Sequence, residues 1–449
     1  MLKNMFGRFI RRCASTYISR QRPYIIGITG SIGKTTSRMI ISHVLWTSLP
    51  DVRISTSPKN FNSEIGLSLS ILEIQSYSPT VLGTISAIFQ WLTTARSPKS
   101  ARAYEVVVLE YGIDQPGDMD ILLDIAVPHM AIFTGLDKVH GQNFDSPDQI
   151  LEEKSKLLFA ATDIVCVPGT ANYLDQISEE IEVDVLTFAL HHTADADISF
   201  DEYTLRSDDT HVAVSSFALD QWHTDHDKVG HISTNLIWEV FAGYVSLWVE
   251  LAMIVAIRFE VEYVLPESFT FDLQPGRFWV YSGMGESVIV DSSYNAAPES
   301  MKMTILQTIQ LRNTLYTDHK LIYCIGDMNE LGDFSESEHR KLALLITQSA
   351  EYIYLIGDQT HYLADECQKI GYNMDRIIRC DDARDLWVQV ATRLQQDNQR
   401  YLVMCKASQW WLYIEEAIPF LLSDTKDIQK LPRQDERWTK KKNLFFGKK

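Results

Sequence analysis

The segment Tyr24-Ile-Ile-Gly-Ile-Thr-Gly-Ser-Ile-Gly-Lys-Thr-Thr runs from a β-branched stretch into Gly30, Ser31, Gly33, Lys34, Thr35 and Thr36, and then into an apolar helical pattern. Glycines at those places let backbone N–H groups turn inward around phosphate oxygens at a helix N-terminus. Lys34 would neutralise the β- and γ-phosphates of a nucleoside triphosphate, and Thr35 would offer its hydroxyl to Mg²⁺. The spacing departs from the strict G-x-x-x-x-G-K-[ST] form, because Ile28 stands at the first glycine position and Gly27 one residue earlier. A phosphate loop by itself does not separate a ligase from a kinase, a GTPase or a motor ATPase. Other residues must decide between them.

Those residues have to be positioned by a frame, and the frame is legible. Short apolar runs ending in Gly or polar turns alternate with longer helical patterns, which predicts parallel-sheet units with crossover helices, an α/β protein. One series includes Tyr24–Thr29, Val106–Tyr111, Met130–Thr134 and Ile164–Val167; a second includes Val288–Asp291, Leu321–Ile325, Tyr352–Ile356 and Tyr401–Cys405. A more alternating, polar stretch from Asp197 to Asp220 predicts a small antiparallel portion, followed by a long helix from Asn235 to Arg258. Loss of periodicity near Phe271–Gly276 and the Pro275-Gly276 turn mark a boundary. The expected division is a basic N-terminal segment at 1–22, a P-loop central domain at 23–272, a Rossmann-like C-terminal domain at 273–424 and a basic tail at 425–449. Glu110 falls at the C-terminal end of a buried strand, where ligands gather in open α/β sheets; a solvated strand-end carboxylate is the alternative.

The length of 449 residues fits two or three units, and 45% hydrophobic with 22% charged residues is ordinary for a folded soluble chain. Net charge is −18, yet residues 1–22 hold six bases and no acid, as do residues 437–449, so the body between is more acidic still. Such a body repels nucleic acid. Six scattered cysteines without metal-ligand spacing read as thiols of a reducing cytoplasm. Leu2, Met5, Phe6, Phe9 and Ile10 at helical spacing, with Arg8, Arg11 and Arg12 between, fit either a helix lying on an anionic membrane face or one packing its apolar stripe on the body. A further apolar stretch, Val81 to Thr94, is too short to span a bilayer and reads as a buried or interfacial helix.

GITGSIGKTT, SPKNFNSEIGLSLSIL, VVVLEYGIDQPGDM, VHGQNFDSPDQILEEKSKL, GHISTN, PGRF, DSSYNAAPESM and GDMNELGDFSESEHR follow one another from about Ile25. In type and order these motifs resemble the Mur ligase family, whose phosphate loop also carries the displaced first glycine. The resemblance implies an ATP-dependent, ADP-forming ligase that makes an amide bond through an acyl phosphate. The segment holding Asn60 and Asn62 resembles that of the branch adding D-alanyl-D-alanine to a UDP-N-acetylmuramoyl-peptide, where it lines the substrate cleft. A related amide ligase with another acceptor, folylpolyglutamate- or cyanophycin-synthetase-like, is the alternative.

The resemblance also implies roles. Glu110 would share one Mg²⁺ with Thr35, and His140 would hold a second. Lys154 would be carbamylated by CO₂ into an anionic metal ligand, although among Glu152, Glu153 and Lys156 it reads by itself as a surface charge. Asn235 would read the adenine and Arg277 would reach the γ-phosphate, a role suited to a fork that stays charged. Asp291, Tyr294 and Asn295 belong to the nucleotide-binding DSSYN motif, in which Ser292 replaces an aspartate, and Ile232 in GHISTN replaces an asparagine. In the C-terminal domain Asp327, Glu330 and His339 fall in family motifs, while Lys406 and Ser408 of KASQ stand on the amine side. Expected partners are therefore small molecules, an acceptor carboxylate and an amino-acid or dipeptide amine, for a monomer at or near the inner membrane face. The family branch has a UDP-gripping domain before the phosphate loop, whereas here only residues 1–23 precede its strand. Either UDP is held differently or the acceptor is not a soluble UDP-sugar.

Overall fold

The apolar run Tyr24–Thr29 becomes β1, an inner strand of a six-stranded sheet in this computed structural model. The structure describes residues 2–31, 33–57, 62–74, 104–136, 143–144, 146–168, 177, 179–188, 205–207, 212–214, 248, 251–264, 274–409 and 411–447. Around β1 lie β2 (Ile54–Thr56), β3 (Val106–Glu110), β4 (Met130–Phe133), β5 (Ile164–Pro168) and β6 (Asp184–Phe188), in the order β2-β3-β1-β4-β5-β6. Every pairing is parallel. Parallel strands are buried on both faces, so alternate residues serve two cores. Ile26, Ile28, Val106 and Val108 pack with α2 (Lys34–Ser48) and the helix over 251–259, while Ile25, Val107 and Leu109 pack with the opposite layer. That opposite layer comprises α1 (Leu2–Gln21), α3 (Glu64–Ile71), α4 (Asp118–Leu123) and α5 (Pro147–Phe159). The polar stretch between the series yields the antiparallel pair β7 (Leu205–Ser207) and β8 (Val212–Val214).

A second sheet follows, built from β9 (Trp279–Ser282), β10 (Val288–Asp291), β11 (Lys320–Gly326), β12 (Ala350–Ile356), β13 (Ile377–Cys380) and β14 (Tyr401–Lys406), in the order β13-β12-β11-β14-β10-β9. Only the edge pair β9–β10 is antiparallel. One face carries α6 (Pro298–Thr314), α7 (Ser335–Thr347) and α8 (His361–Lys369); the other carries α9 (Ala383–Gln396) and the chain beyond β14. This is the Rossmann-like layout expected for the C-terminal domain. The basic stretch expected as a tail joins it: α10 (Glu436–Phe446) buries Phe446 and Lys442, and Lys442 bonds Glu416 at 2.6 Å.

Part of the N-terminal helix packs on the body. Phe6, Ile10 and Ala14 are buried in the first unit's core against α3, and Arg11 pairs with Glu64 at 3.7 Å. Part of the apolar stripe that fitted a membrane face is thus packed on the body, while Phe9, 43% exposed, stays at the surface with Arg8, Arg12 and Arg20. Ile10→Ala should therefore cost about 2–4 kcal/mol, the range for truncating a fully buried aliphatic side chain. A lowered thermal midpoint checks this, and an unchanged one would return α1 to the surface. Among the described residues no helix is long and apolar enough to cross a membrane. Of the long helix expected over 235–258, residues 251–258 are described and helical; the stretch Val81 to Thr94 lies outside the described residues.

Candidate active site

β1 ends at Thr29 and the chain turns through Gly30 at φ 141°, a conformation closed to other residues. A Cβ there would lie 2.1 Å from the Thr134 hydroxyl, so the loop is pressed against the end of β4. Ser31 N–H donates to the Gly135 carbonyl at 2.8 Å, and Gly33 at φ 80° opens α2 with no side-chain cap. The first N–H groups of α2 are left for an anion. The half-buried Lys34 Nζ donates to the carbonyls of Gly30 at 2.6 Å and Ser31 at 3.3 Å. Burial pushes its pKa down against the opposing pull of Glu110. Thr36 is buried behind the loop.

Glu110 terminates β3, which pairs with β1 in register Ile28 to Glu110. Its carboxylate is buried, and Oε2 accepts from Thr35 Oγ1 at 2.9 Å. Two hard oxygens converging beside a phosphate loop suit Mg²⁺, which takes few protein ligands and completes its shell with water and phosphate oxygens. The other oxygen, Oε1, is held at 2.5 Å by Arg38 Nε, and that guanidinium also donates to Thr56 Oγ1 at 3.1 Å and to the Ser57 carbonyl. Arg38 is a site residue that the motifs did not single out. Among the described residues no group of three or more His, Cys, Asp or Glu gathers to hold a metal. The acceptor segment arrives next door: Gly112 N–H donates to the Asn62 carbonyl at 2.8 Å, and a Cβ on Gly112 would strike the Asn62 side chain at 2.8 Å. Asn60, His140 and Asn235 lie outside the described residues.

Lys154 corrects the reading of its own neighbourhood. Ser146 caps α5 by accepting from Gln149 N–H at 3.2 Å, and the helix then turns Ile150, Leu151, Leu157 and Leu158 into the core. Lys154 lies on that same face and is 0% exposed, its Nζ donating to the Gly30 carbonyl at 3.1 Å. Burial, reinforced by the nearby Lys34 ammonium, drives its pKa well below the ordinary lysine value. Glu153 beside it instead accepts from Met119 N–H at 2.8 Å and pairs with Lys156. Two amines therefore meet on one carbonyl, an arrangement that calls for an anion.

From the second unit, Arg277 reaches this cluster closely enough for its charge to act on Lys34 and to feel Glu110. Its guanidinium lies over the Tyr294 ring at 4.4 Å, and its buried Nε has no hydrogen-bond partner among the described residues. Asp291 is buried, with Oδ1 accepting from Ser293 N–H at 2.9 Å, and burial raises its pKa to about 6. Asn295 is exposed, and its carbonyl accepts from Lys406 Nζ at 2.9 Å. Lys406 also donates to Ser292 Oγ at 3.2 Å, and its burial lowers its pKa to about 7. Ser408 accepts from Asn329 N–H at 2.8 Å and donates to the Ala296 carbonyl at 3.2 Å. Both amine-side residues thus brace loops. His339 Nε2 accepts from Met328 N–H at 3.0 Å and Asp327 Oδ1 from Thr360 N–H at 3.0 Å, which makes them turn supports too. Glu330, at φ 66°, has its pKa raised by burial and by the charge of Asp114 in the first unit.

A parallel sheet whose inner strand opens through such a loop into a helix, with a strand-end carboxylate on the loop threonine, defines a phosphate-loop nucleotide-binding protein. Its second, Rossmann-like unit narrows the class. The Mur ligase middle domain matches residues 28–236, and the Mur ligase glutamate ligase domain matches residues 276–408. The chain belongs to the Mur ligase family. It is similar to the UDP-N-acetylmuramoyl-tripeptide--D-alanyl-D-alanine ligase of Bacillus subtilis, at 24% identity over 92% of this chain and 79% of that one. In fold it is similar to the MurF ligase from Thermotoga maritima in complex with ADP, with TM-score 0.69 and 20% identity over 94% of this chain and 84% of that one. The MurF of Acinetobacter baumannii gives TM-score 0.72 and 17% identity over 93% and 81%.

Proposed function

We propose that this chain is an ATP-dependent, ADP-forming ligase that joins an acceptor carboxylate to an amine in peptidoglycan synthesis, adding D-alanyl-D-alanine or a similar dipeptide to a UDP-N-acetylmuramoyl-peptide. The observation that carries the reading is the convergence of Thr35, Glu110, Lys34 and Lys154 at one turn: Thr35 and Glu110 oxygens 2.9 Å apart, and both lysines on the Gly30 carbonyl. Backbone N–H groups of the loop would take the phosphates, with Lys34 and Arg277 countering their charge. Mg²⁺ on Thr35 and Glu110 would add charge stabilisation at the transferring phosphoryl group, typically a large share of catalysis. The acceptor carboxylate, lined up by the Asn62 segment, attacks the γ-phosphorus and ADP leaves. The amine then attacks the acyl carbonyl, phosphate departs, and an amide remains.

Lys154 extends the proposal. A buried amine held toward its neutral form is the nucleophile that adds CO₂, and the resulting carbamate would replace an unfavourable second cation beside Lys34 with an anion.

One experiment tests both readings. Amide formation and phosphate release are followed with UDP-N-acetylmuramoyl-tripeptide plus D-alanyl-D-alanine, and with polyglutamate-type acceptors, while ¹³C-bicarbonate labelling of wild type and Lys154→Ala reads the carbamate. The expected result is amide with the muramoyl acceptor and a carbamate signal lost in Lys154→Ala. Phosphate release without any amide would reject the ligase; amide only with another acceptor would move the substrate class; an identical carbonyl spectrum in both proteins would reject carbamylation.

A further inference from the structure

The chain beyond β14 carries a buried ion pair that the proposed reaction does not use. Glu415 is 0% exposed, and its two carboxylate oxygens accept from Arg433 Nε at 2.7 Å and Nη2 at 2.6 Å. The same guanidinium also donates to main chain: Nη2 to the Ser293 carbonyl at 2.7 Å and Nη1 to the Tyr294 carbonyl at 3.0 Å. Arg433 is held at φ 58°, a backbone region unfavourable for it, so the side chain's bonds outweigh that strain.

Its neighbour completes the grip. A Cβ on Gly276, itself at φ 75°, would lie 2.8 Å from the Pro432 ring and 3.0 Å from Tyr294 N, and Tyr294 N–H donates to the Gly276 carbonyl at 3.0 Å. Residues 432 and 433 therefore clamp both chains that frame Arg277: the Pro275-Gly276 turn before it and the Ser293-Tyr294 loop whose ring it stacks on. Both guanidiniums lie over the Tyr294 ring, Arg277 at 4.4 Å and Arg433 at 6.0 Å from its centroid. The family match stops at residue 408, before either member of the pair.

We infer that Arg433, fixed by Glu415, is a positioning residue that aims Arg277 at the γ-phosphate through the Tyr294 loop. This rests on the nucleotide-site reading above and deepens it: the strap sets the discrimination between triphosphate and diphosphate. A lysine at 433 keeps the charge facing Glu415 and loses the planar fork that grips two carbonyls.

The test titrates the full chain, with Mg²⁺, with the β,γ-imido analogue of ATP and with ADP. Arg433→Lys should weaken the triphosphate analogue on the order of tenfold, the scale of one charge-assisted contact, and ADP less than about twofold. In an Arg277→Ala background Arg433→Lys should change neither. Ile10→Ala, which destabilises the core of the first unit and touches neither Glu415 nor Arg433, controls for a general loss of stability by lowering the thermal midpoint while preserving the ratio of the two affinities. Equal loss for both nucleotides, or an effect that persists without Arg277, overturns the inference. A wild type that binds both nucleotides while Arg433→Lys behaves identically overturns it alone; a wild type that binds neither overturns the site reading with it.

Discussion

Lys34→Ala should lower ATP-dependent amide formation by about a thousandfold, in line with removing a principal charge-stabilising group, while leaving the fold as stable as before. The two halves of that expectation have separate causes. Among the described residues Lys34 Nζ bonds only loop carbonyls, and Lys154 already serves the Gly30 carbonyl at 3.1 Å. Its loss strands no buried acceptor there. It also removes the second cation whose repulsion adds to burial in depressing Lys154. The stability change should stay within about 1 kcal/mol, because the surrendered bonds are modest. Thermal unfolding and the phosphate-release assay on the same preparation read the two quantities. Activity within tenfold of wild type would remove Lys34 from the reaction, and a collapse of the fold would mean that the loop is built on its amine.

Strands buried on both faces write themselves as continuous apolar runs, which is why β1, β3, β4, β5, β10, β11, β12 and β14 were legible. The edge strands β6, β9 and β13 and the three-residue β2 were not, because exposure mixes their residue types and shortens the run. Lys154 shows how sequence neighbours mislead. Glu152, Glu153 and Lys156 made it look solvated, yet its spacing from Ile150, Leu151, Leu157 and Leu158 is the helical period of a buried face. Arg38 had a comparable signal, standing three residues past Thr35 on a helix that buries Ile40, Ile41, Val44 and Leu45 around it. Glu415 and Arg433 gave none. They are 18 residues apart in irregular chain, with no periodicity to pair them. The site motifs were visible because phosphate loops are local in sequence. The supports were hidden because they come from distant segments.

Glu110→Ala should be the most damaging single change to the site, costing activity and fold together. Activity falls because the carboxylate is the proposed metal ligand opposite Thr35; a loss of about a thousandfold or more follows from removing electrostatic stabilisation at the phosphoryl group. Stability falls for a different reason, since Arg38 is left buried without its carboxylate. Breaking a buried pair by removing one partner costs about 3–5 kcal/mol, and the remaining bonds to Thr56 and Ser57 place this case near the lower end. Glu110→Gln separates the effects, because the amide oxygen still accepts from Arg38 Nε while the charge that attracts Mg²⁺ is gone: it should regain part of the stability lost in Glu110→Ala and remain inactive. Pairing Glu110→Leu with Arg38→Met should recover most of the stability and none of the activity, because an apolar pair of similar volume removes the stranded charge. Mg²⁺-dependent nucleotide binding that survives in Glu110→Gln would take the metal away from this carboxylate. A double variant no more stable than Glu110→Ala would show that packing around β3, and not the isolated guanidinium, sets the cost.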